Sequence, residues 1–130
     1  MPAAVAAATR IEKDTMGEMP VPAEALYGAS TQRAALNFPV SGRPVPGAVI
    51  HAYALLKAAC AKVNRDLGLL DASRAEAIIA ATGRIAKRDL PTPAGADPIA
   101  FHFPIDVFQT GSGTSTNMNV NEVVANLVCL

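Results

Sequence analysis

Fourteen residues near the C-terminal end concentrate the polar chemistry of this chain: Gln109-Thr110-Gly111-Ser112-Gly113-Thr114-Ser115-Thr116-Asn117-Met118-Asn119-Val120-Asn121-Glu122. They hold two glycines, five hydroxyl side chains, three asparagines and one glutamine. Hydroxyl and amide groups donate hydrogen bonds without carrying charge, and glycine lets the backbone approach a ligand closely. Directly after them, Val123-Val124-Ala125-Asn126-Leu127 has the pattern of a helix body. The stretch is therefore expected to feed a helix start, where unpaired N–H groups and the helix dipole favour a carboxylate or phosphate. The competing expectation is an ordinary N-cap, for which Thr114, Ser115 or Thr116 would serve. A cap needs one such residue, so the density favours an anion site. Just upstream, Phe103–Phe108 is apolar and strand-like.

Other residue types with catalytic potential are few and scattered. His51 falls off the apolar stripe of its helix and is read as a surface or interface histidine rather than a catalytic one. His102 stands among aromatics, seven residues before the polar stretch, and is read as packed or surface-lying. Arg33 could pair with an anionic ligand, although solvent is the commoner partner of a lone arginine. Cys60 and Cys129 lie on apolar segments with no CxxC or Cys/His spacing. Buried free thiols are expected, with no disulfide framework and no metal site.

Composition narrows the classes further. The 130 residues allow at most one domain with a moderate core. Half the residues are hydrophobic (51%), alanine is abundant and tryptophan absent, which suits close-packed helices. Eleven basic residues balance eleven acidic ones, so there is no electrostatic footprint for nucleic acid. Residues 1–9 carry a short apolar run without a basic start, too short to cross a membrane. They are read as a disordered leader in a cytoplasmic protein, with residues 10–130 as the domain.

The elements that must position the polar stretch follow from periodicity and punctuation. Arg10–Pro22 is broken by Gly17, Pro20 and Pro22, which predicts an extended segment or loose hairpin. Pro22–Gly28 reads as one turn of helix stopped by Gly28, and Ser41–Gly47 as a loop. A helix is predicted from about Gly47 to Leu67, with Val49, Tyr53, Leu56, Cys60, Val63 and Leu67 on its packed face. Ser73 and Glu76 form a capping-box pattern opening a second helix. Its face is Ala75, Ile78, Ile79, Thr82 and Ile85, and Lys87 and Arg88 suit its C-terminal turn. The two helices should form an antiparallel hairpin. Asp89–Pro98 is a proline-rich connection. In the last helix, Val123, Val124, Leu127 and Val128 are expected to lack partners, favouring association. The fold class is mainly α, a helical hairpin with short irregular or β segments near the N-terminus.

Phe103-Pro104-Ile105-Asp106-Val107-Phe108 together with Gln109–Val123 closely resembles the first signature region of class II fumarases, which aspartate ammonia-lyases share. The wider family includes argininosuccinate and adenylosuccinate lyases. Arg10–Glu18, Val21-Pro22, Tyr27-Gly28-Ala29, Thr31-Gln32-Arg33-Ala34 and Asn37-Phe38 resemble the family's N-terminal segment. The hairpin from Ile50 to Ile85 falls where the family has one. Thr110-Gly111-Ser112-Gly113 is similar to the fumarase version of the loop, whereas aspartases usually carry Gly-Gly-Ala-Gly. Two departures are local: Ser30 stands where the family usually has glutamine, and the proline-rich segment replaces a shorter polar connection.

The resemblance implies reversible hydration of fumarate to (S)-malate with no metal or organic cofactor. A base removes a proton beside a carboxylate, and donors stabilise the resulting aci-carboxylate. Ser112, Gly113 and Thr114 match the family's substrate-carboxylate contacts, with Thr116, Asn117 and Asn119 as supporting residues. Fumarases build each site from three conserved regions on three subunits of a homotetramer, and only the first region is present here. The regions carrying the catalytic base and histidine are absent, neither His51 nor His102 is carried over, and no catalytic residue is assigned in this chain. The implied reading is the N-terminal domain of a fumarase without its central helical and C-terminal domains, inactive or nearly so alone. A non-catalytic homologue or binding module, and an aspartate ammonia-lyase-type fragment, stay open beside it. A nucleotide-phosphate loop fits poorly, because the third glycine of a dinucleotide fingerprint and the Gly-Lys of a P-loop are missing.

Overall fold

The structure, a computed structural model, describes residues 8–130. Of the expected leader, residues 1–7 lie outside the described residues. The carbonyl of Ala8 accepts a hydrogen bond from Ala23 N (2.8 Å), and Thr9 already opens the first strand. Strand β1 (Thr9–Asp14) pairs antiparallel with β2 (Gly17–Pro22), in a register running from Thr9 opposite Pro22 to Asp14 opposite Gly17. The turn closes tightly because Gly17 takes φ +113° and the Asp14 carboxylate accepts from Met16 N (2.8 Å). Arg33 grips that same carboxylate through Nε (3.1 Å) and Nη2 (3.0 Å) and holds the Asp14 carboxyl below its ordinary range. Arg33 is therefore a structural clamp on the hairpin, paired with Asp14.

No helical turn forms at Pro22–Gly28, because side chains from elsewhere take the backbone groups a helix would use. Arg10 donates to the carbonyls of Pro22 (2.9 Å), Ala23 (3.0 Å), Ala25 (2.6 Å) and Tyr27 (2.8 Å). Leu26 N–H goes to His102 Nδ1 (3.0 Å), and Asn126 Nδ2 donates to Leu26 O (2.7 Å). The result is an irregular strap leading into α1 (Ala29–Asn37), a helix with no side-chain cap of its own.

The predicted antiparallel pair is present as α2 (Gly47–Asp66) and α3 (Ala72–Ala86), joined at Gly68 in the left-handed region. Asp71, not Ser73, caps α3 by accepting from Arg74 N (2.9 Å). Its inner face is as expected: Ala75, Thr82 and Ile85 are buried, with Ile78 and Ile79 half-buried. The face of α2 is a correction. Ile50, Ala54 and Ala61 turn inward, whereas Val49, Leu56, Val63 and Leu67 stay 41%, 56%, 54% and 67% exposed. Alanines at the crossing let the helices approach closely, and the larger residues consequently face out. Cys60 shares the outward side, and Cys129 follows the last helix; both thiols are free and exposed rather than buried.

The proline-rich connection ends in a short helix, α4 (Pro98–His102), which the sequence reading passes over. Asp97 caps it by accepting from Ile99 N and Ala100 N, both at 2.9 Å, with Pro98 in the first helical position. Residues 103–108 form no strand. Pro104 lacks a ladder donor, and the single bridge is Pro44 opposite Asp106. The Asp106 carboxylate accepts from the N–H groups of Phe108, Ser41 and Gly42, each at 2.8 Å, and from Ser41 Oγ. Those donors, led by Phe108 N–H, hold its pKa down to about 2.

The last element, α5 (Thr114–Val128), is the spine of the core. Val120 and Val123 are fully buried with Val21, Ile50, Ile85 and Phe103 around them. Val124 and Leu127 are buried too, so of the four residues expected to lack partners only Val128 remains exposed. No helix among the described residues is long and apolar enough to cross a membrane.

Candidate functional site

The polar stretch folds as a loop followed by the first two turns of α5. Gly113 is the N-cap residue, in the left-handed region at φ +71°, and none of Thr114, Ser115 or Thr116 fills that position. A glycine cap provides no side-chain oxygen for the first N–H groups of the helix. Gln109 provides one instead. Its Oε1 accepts from Thr116 N (3.1 Å), and its Nε2 donates to Thr116 Oγ1 (2.8 Å) and Asp106 O (3.3 Å). The N–H groups of Thr114 and Ser115 have no acceptor among the described residues.

Ser112 and Thr114 stand side by side on the exposed rim, their hydroxyl oxygens 2.8 Å apart. Gly113 between them spends its N–H within the loop, donating to Thr110 O (2.9 Å). At the helix start the free backbone donors are consequently one and two residues further on than Gly113, at Thr114 and Ser115. With two hydroxyls, two open N–H groups and the positive end of a 15-residue helix, the rim can hold one carboxylate without a charged side chain. A cavity of about 270 Å³ undercuts the loop between Tyr53, Val107 and Gln109. A larger one, about 690 Å³, lies between α2, α3 and α5 and is largely apolar, lined by Ala61, Ala77, Ile78 and Val124. Its polar lining, Lys57, Asn64, Ser73, Arg74 and Asn121, includes none of the loop residues 109–116.

The three expected supporting residues anchor α5 in three directions. Thr116 is buried against Gln109. Asn117 accepts from Lys57 Nζ of α2 (2.7 Å), which brings a cation to the first turn. Asn119, fully buried, donates to His102 O (3.0 Å) and ties α5 to the end of α4. His51 is exposed on α2, as expected. His102 is fully buried, its Nδ1 accepting from Leu26 and its Nε2 2.9 Å from Pro91 O, so it is a packed histidine away from the rim. Among the described residues no group of three or more His, Cys, Asp or Glu is placed to hold a metal ion.

Sequence reasoning misses Gln109 and Glu122 at the two ends of the stretch. The Glu122 carboxylate reaches across to α1, accepting from Gly28 N (3.0 Å), Ser30 N (2.9 Å), Thr31 N (3.1 Å) and the Thr31 hydroxyl. The signal that could have found it is negative: α1 begins at Gly28 with no capping residue, so its cap must come from elsewhere.

Residues 17–129 match the sequence profile of a family described as lyase. The chain belongs to this lyase family. It is 59% identical over 120 residues to a protein of Corynebacterium efficiens named fumarate hydratase class II, covering 91% of this chain and 23% of that relative. A protein of the same name from Mycobacterium tuberculosis is 57% identical over 118 residues, again covering 23% of the relative. Among solved structures, the class II fumarase of Schistosoma mansoni superposes with a TM-score of 0.82 at 33% identity, covering 93% of this chain and 24% of that one. The fumarate lyase:delta crystallin of Brucella melitensis superposes at 0.79 with 38% identity and similar coverage. The chain thus spans about a quarter of the length of the relatives it matches. The mainly helical fold with its small two-stranded sheet is that of these neighbours.

Proposed function

We propose that this chain carries the substrate-carboxylate loop of a class II fumarate hydratase, holding one carboxylate of fumarate or (S)-malate at Ser112, Gly113 and Thr114. The observation that supports this most is the rim itself: paired hydroxyls 2.8 Å apart beside the open N–H groups of Thr114 and Ser115. Hydrogen-bond donors aimed at a carboxylate strengthen as charge builds on it when the neighbouring proton leaves, which is the demand of a hydration reaction. Gly113 contributes through its left-handed backbone rather than its N–H, and Thr116, Asn117 and Asn119 fix the helix behind the rim. The base and the remaining substrate contacts would come from other regions of such an enzyme, on other subunits of a homotetramer in the cytoplasm, within the tricarboxylic acid cycle and without a cofactor.

Two measurements test this. Titrating fumarate into the ¹⁵N-labelled chain should shift the amide signals of Thr114 and Ser115 saturably, whereas the α2–α3 amides stay in place. Absence of any shift at tens of millimolar would sink the carboxylate assignment. The purified 130-residue chain should give no fumarate from (S)-malate by ultraviolet absorbance, and steady turnover would show that the catalytic base lies in this chain after all.

A further inference from the structure

We infer that Gln109 is a positioning residue of the carboxylate loop, which caps α5 from outside the helix so that the first two N–H groups stay open to the anion. This rests on the dicarboxylate reading above. A helix start leaves its first N–H groups without partners, and a serine, threonine or aspartate at the N-cap would normally take one of them. Such a residue at position 113 would set an oxygen lone pair, or a charge, where the carboxylate must sit. Here the N-cap is a glycine and the capping oxygen comes from four residues upstream. Gln109 and Thr116 bond on the covered side of the loop, whereas Ser112 and Thr114 lie on its exposed rim.

The same amide closes the loop mechanically. Nε2 reaches back to Asp106 O (3.3 Å) and across to Thr116 Oγ1 (2.8 Å), so residues 110–115 are strung between two points that one side chain holds. Asp106 is itself fixed by the N–H groups of Ser41, Gly42 and Phe108, so the upstream anchor is rigid. A neutral amide suits this place better than a carboxylate. Glutamate would cap Thr116 N–H at least as well, but its charge would offset the helix dipole and repel an incoming anion.

That contrast separates positioning from mere structural support. Two quantities would be measured on the full chain and on Gln109→Glu and Gln109→Ala: amide-exchange protection at Thr116, and the Kd for fumarate from the titration of Thr114 and Ser115. Gln109→Glu should keep Thr116 protected yet raise the Kd by about tenfold. Gln109→Ala should lose the protection and weaken fumarate binding by a similar factor, with α2 and α3 amides unchanged. Unaltered affinity in both variants, or protection at Thr116 surviving in Gln109→Ala, overturns the inference whilst leaving the carboxylate site standing. A wild-type chain that shows no fumarate-dependent shift removes the site and the inference together.

Discussion

Replacing Glu122 by alanine is expected to lower folding stability by about 3 kcal/mol, mostly through α1. One carboxylate satisfies three backbone N–H groups, those of Gly28, Ser30 and Thr31, together with the Thr31 hydroxyl. Among the described residues it is the only N-terminal cap of α1, since Gly28 brings no side chain. Thr31 is fully buried, so its hydroxyl and N–H would lose their partner where water does not replace it. A negative charge at that end also complements the helix dipole. Glu122→Gln should cost less, about 2 kcal/mol, because the amide oxygen still accepts but its NH₂ faces donors. Gly28→Ala probes the same contact from the other side. Its Cβ would lie 3.1 Å from Glu122 Cδ and Oε1, and at φ −114° the backbone itself is unstrained, so any loss reports the displaced carboxylate. Urea midpoints at unchanged m-value would measure these differences. A Glu122→Ala chain within about 0.5 kcal/mol of wild type would contradict the capping role.

The second large effect is a loss of stability on mild acidification, centred on His102. The ring is fully buried, with Nδ1 accepting from Leu26 N–H and Nε2 donating to Pro91 O. Both contacts are met only by the neutral imidazole with its proton on Nε2. Burial holds the His102 pKa below 6.5 in the folded chain, whereas the unfolded chain takes up its proton near that value. The stabilisation is therefore fully present above about pH 6.5. Below it, stability falls by up to about 1.4 kcal/mol per pH unit until the folded ring itself protonates and Leu26 is released. The carboxyls of Asp14, Asp97 and Asp106 are held below 3.8, so their contributions vanish only in stronger acid and leave this window to the histidine. Urea midpoints at about pH 7.5 and about pH 5.5 should differ clearly in wild type, and His102→Gln should flatten the difference while lowering both values. Equal wild-type midpoints at the two pH values would rule this account out.

How much of this was legible in the sequence depends on where each interaction partner lies along the chain. The β1–β2 hairpin, α2, α3 and α5 follow from local punctuation and periodicity, and the structure contains all four. The face of α2 does not. Weighting by side-chain size selects Val49, Leu56, Val63 and Leu67, whereas packing selects the small residues Ala54 and Ala61 that bring helices together. Helix α1 lacks a local start signal because its cap is 91 to 94 residues away. At Pro22–Gly28 the sequence favours a helical turn, and Arg10, His102 and Asn126 override it with long-range hydrogen bonds. The Asp97-Pro98 pair is different. An N-cap followed by proline in the first helical position is a local signal, and α4 could have been read from it. In the loop, the density of hydroxyl and amide groups points to the correct stretch. Their roles within it need the backbone, since only the left-handed Gly113 explains why the cap is Gln109 and the open donors are Thr114 and Ser115.

The bonds from Glu122 and Asn126 to the strap and α1 also decide how the molecule comes apart. They join residues about a hundred positions apart, and they are the N-terminal region's principal polar ties to α5. Helix α1 cannot keep its cap when α5 lifts away, and α5 cannot lift without uncovering Val21, Leu26 and the Leu26 carbonyl. The strap, α1 and α5 therefore form one cooperative unit, and α2 and α3 lose the cover of Ile50 and Ile85 when it opens. In native-state hydrogen exchange, the amides of Ser30 and Thr31 should share the opening free energy of the α5 amides. In this fold, order in the strap and α1 is set by a helix about ninety residues further on.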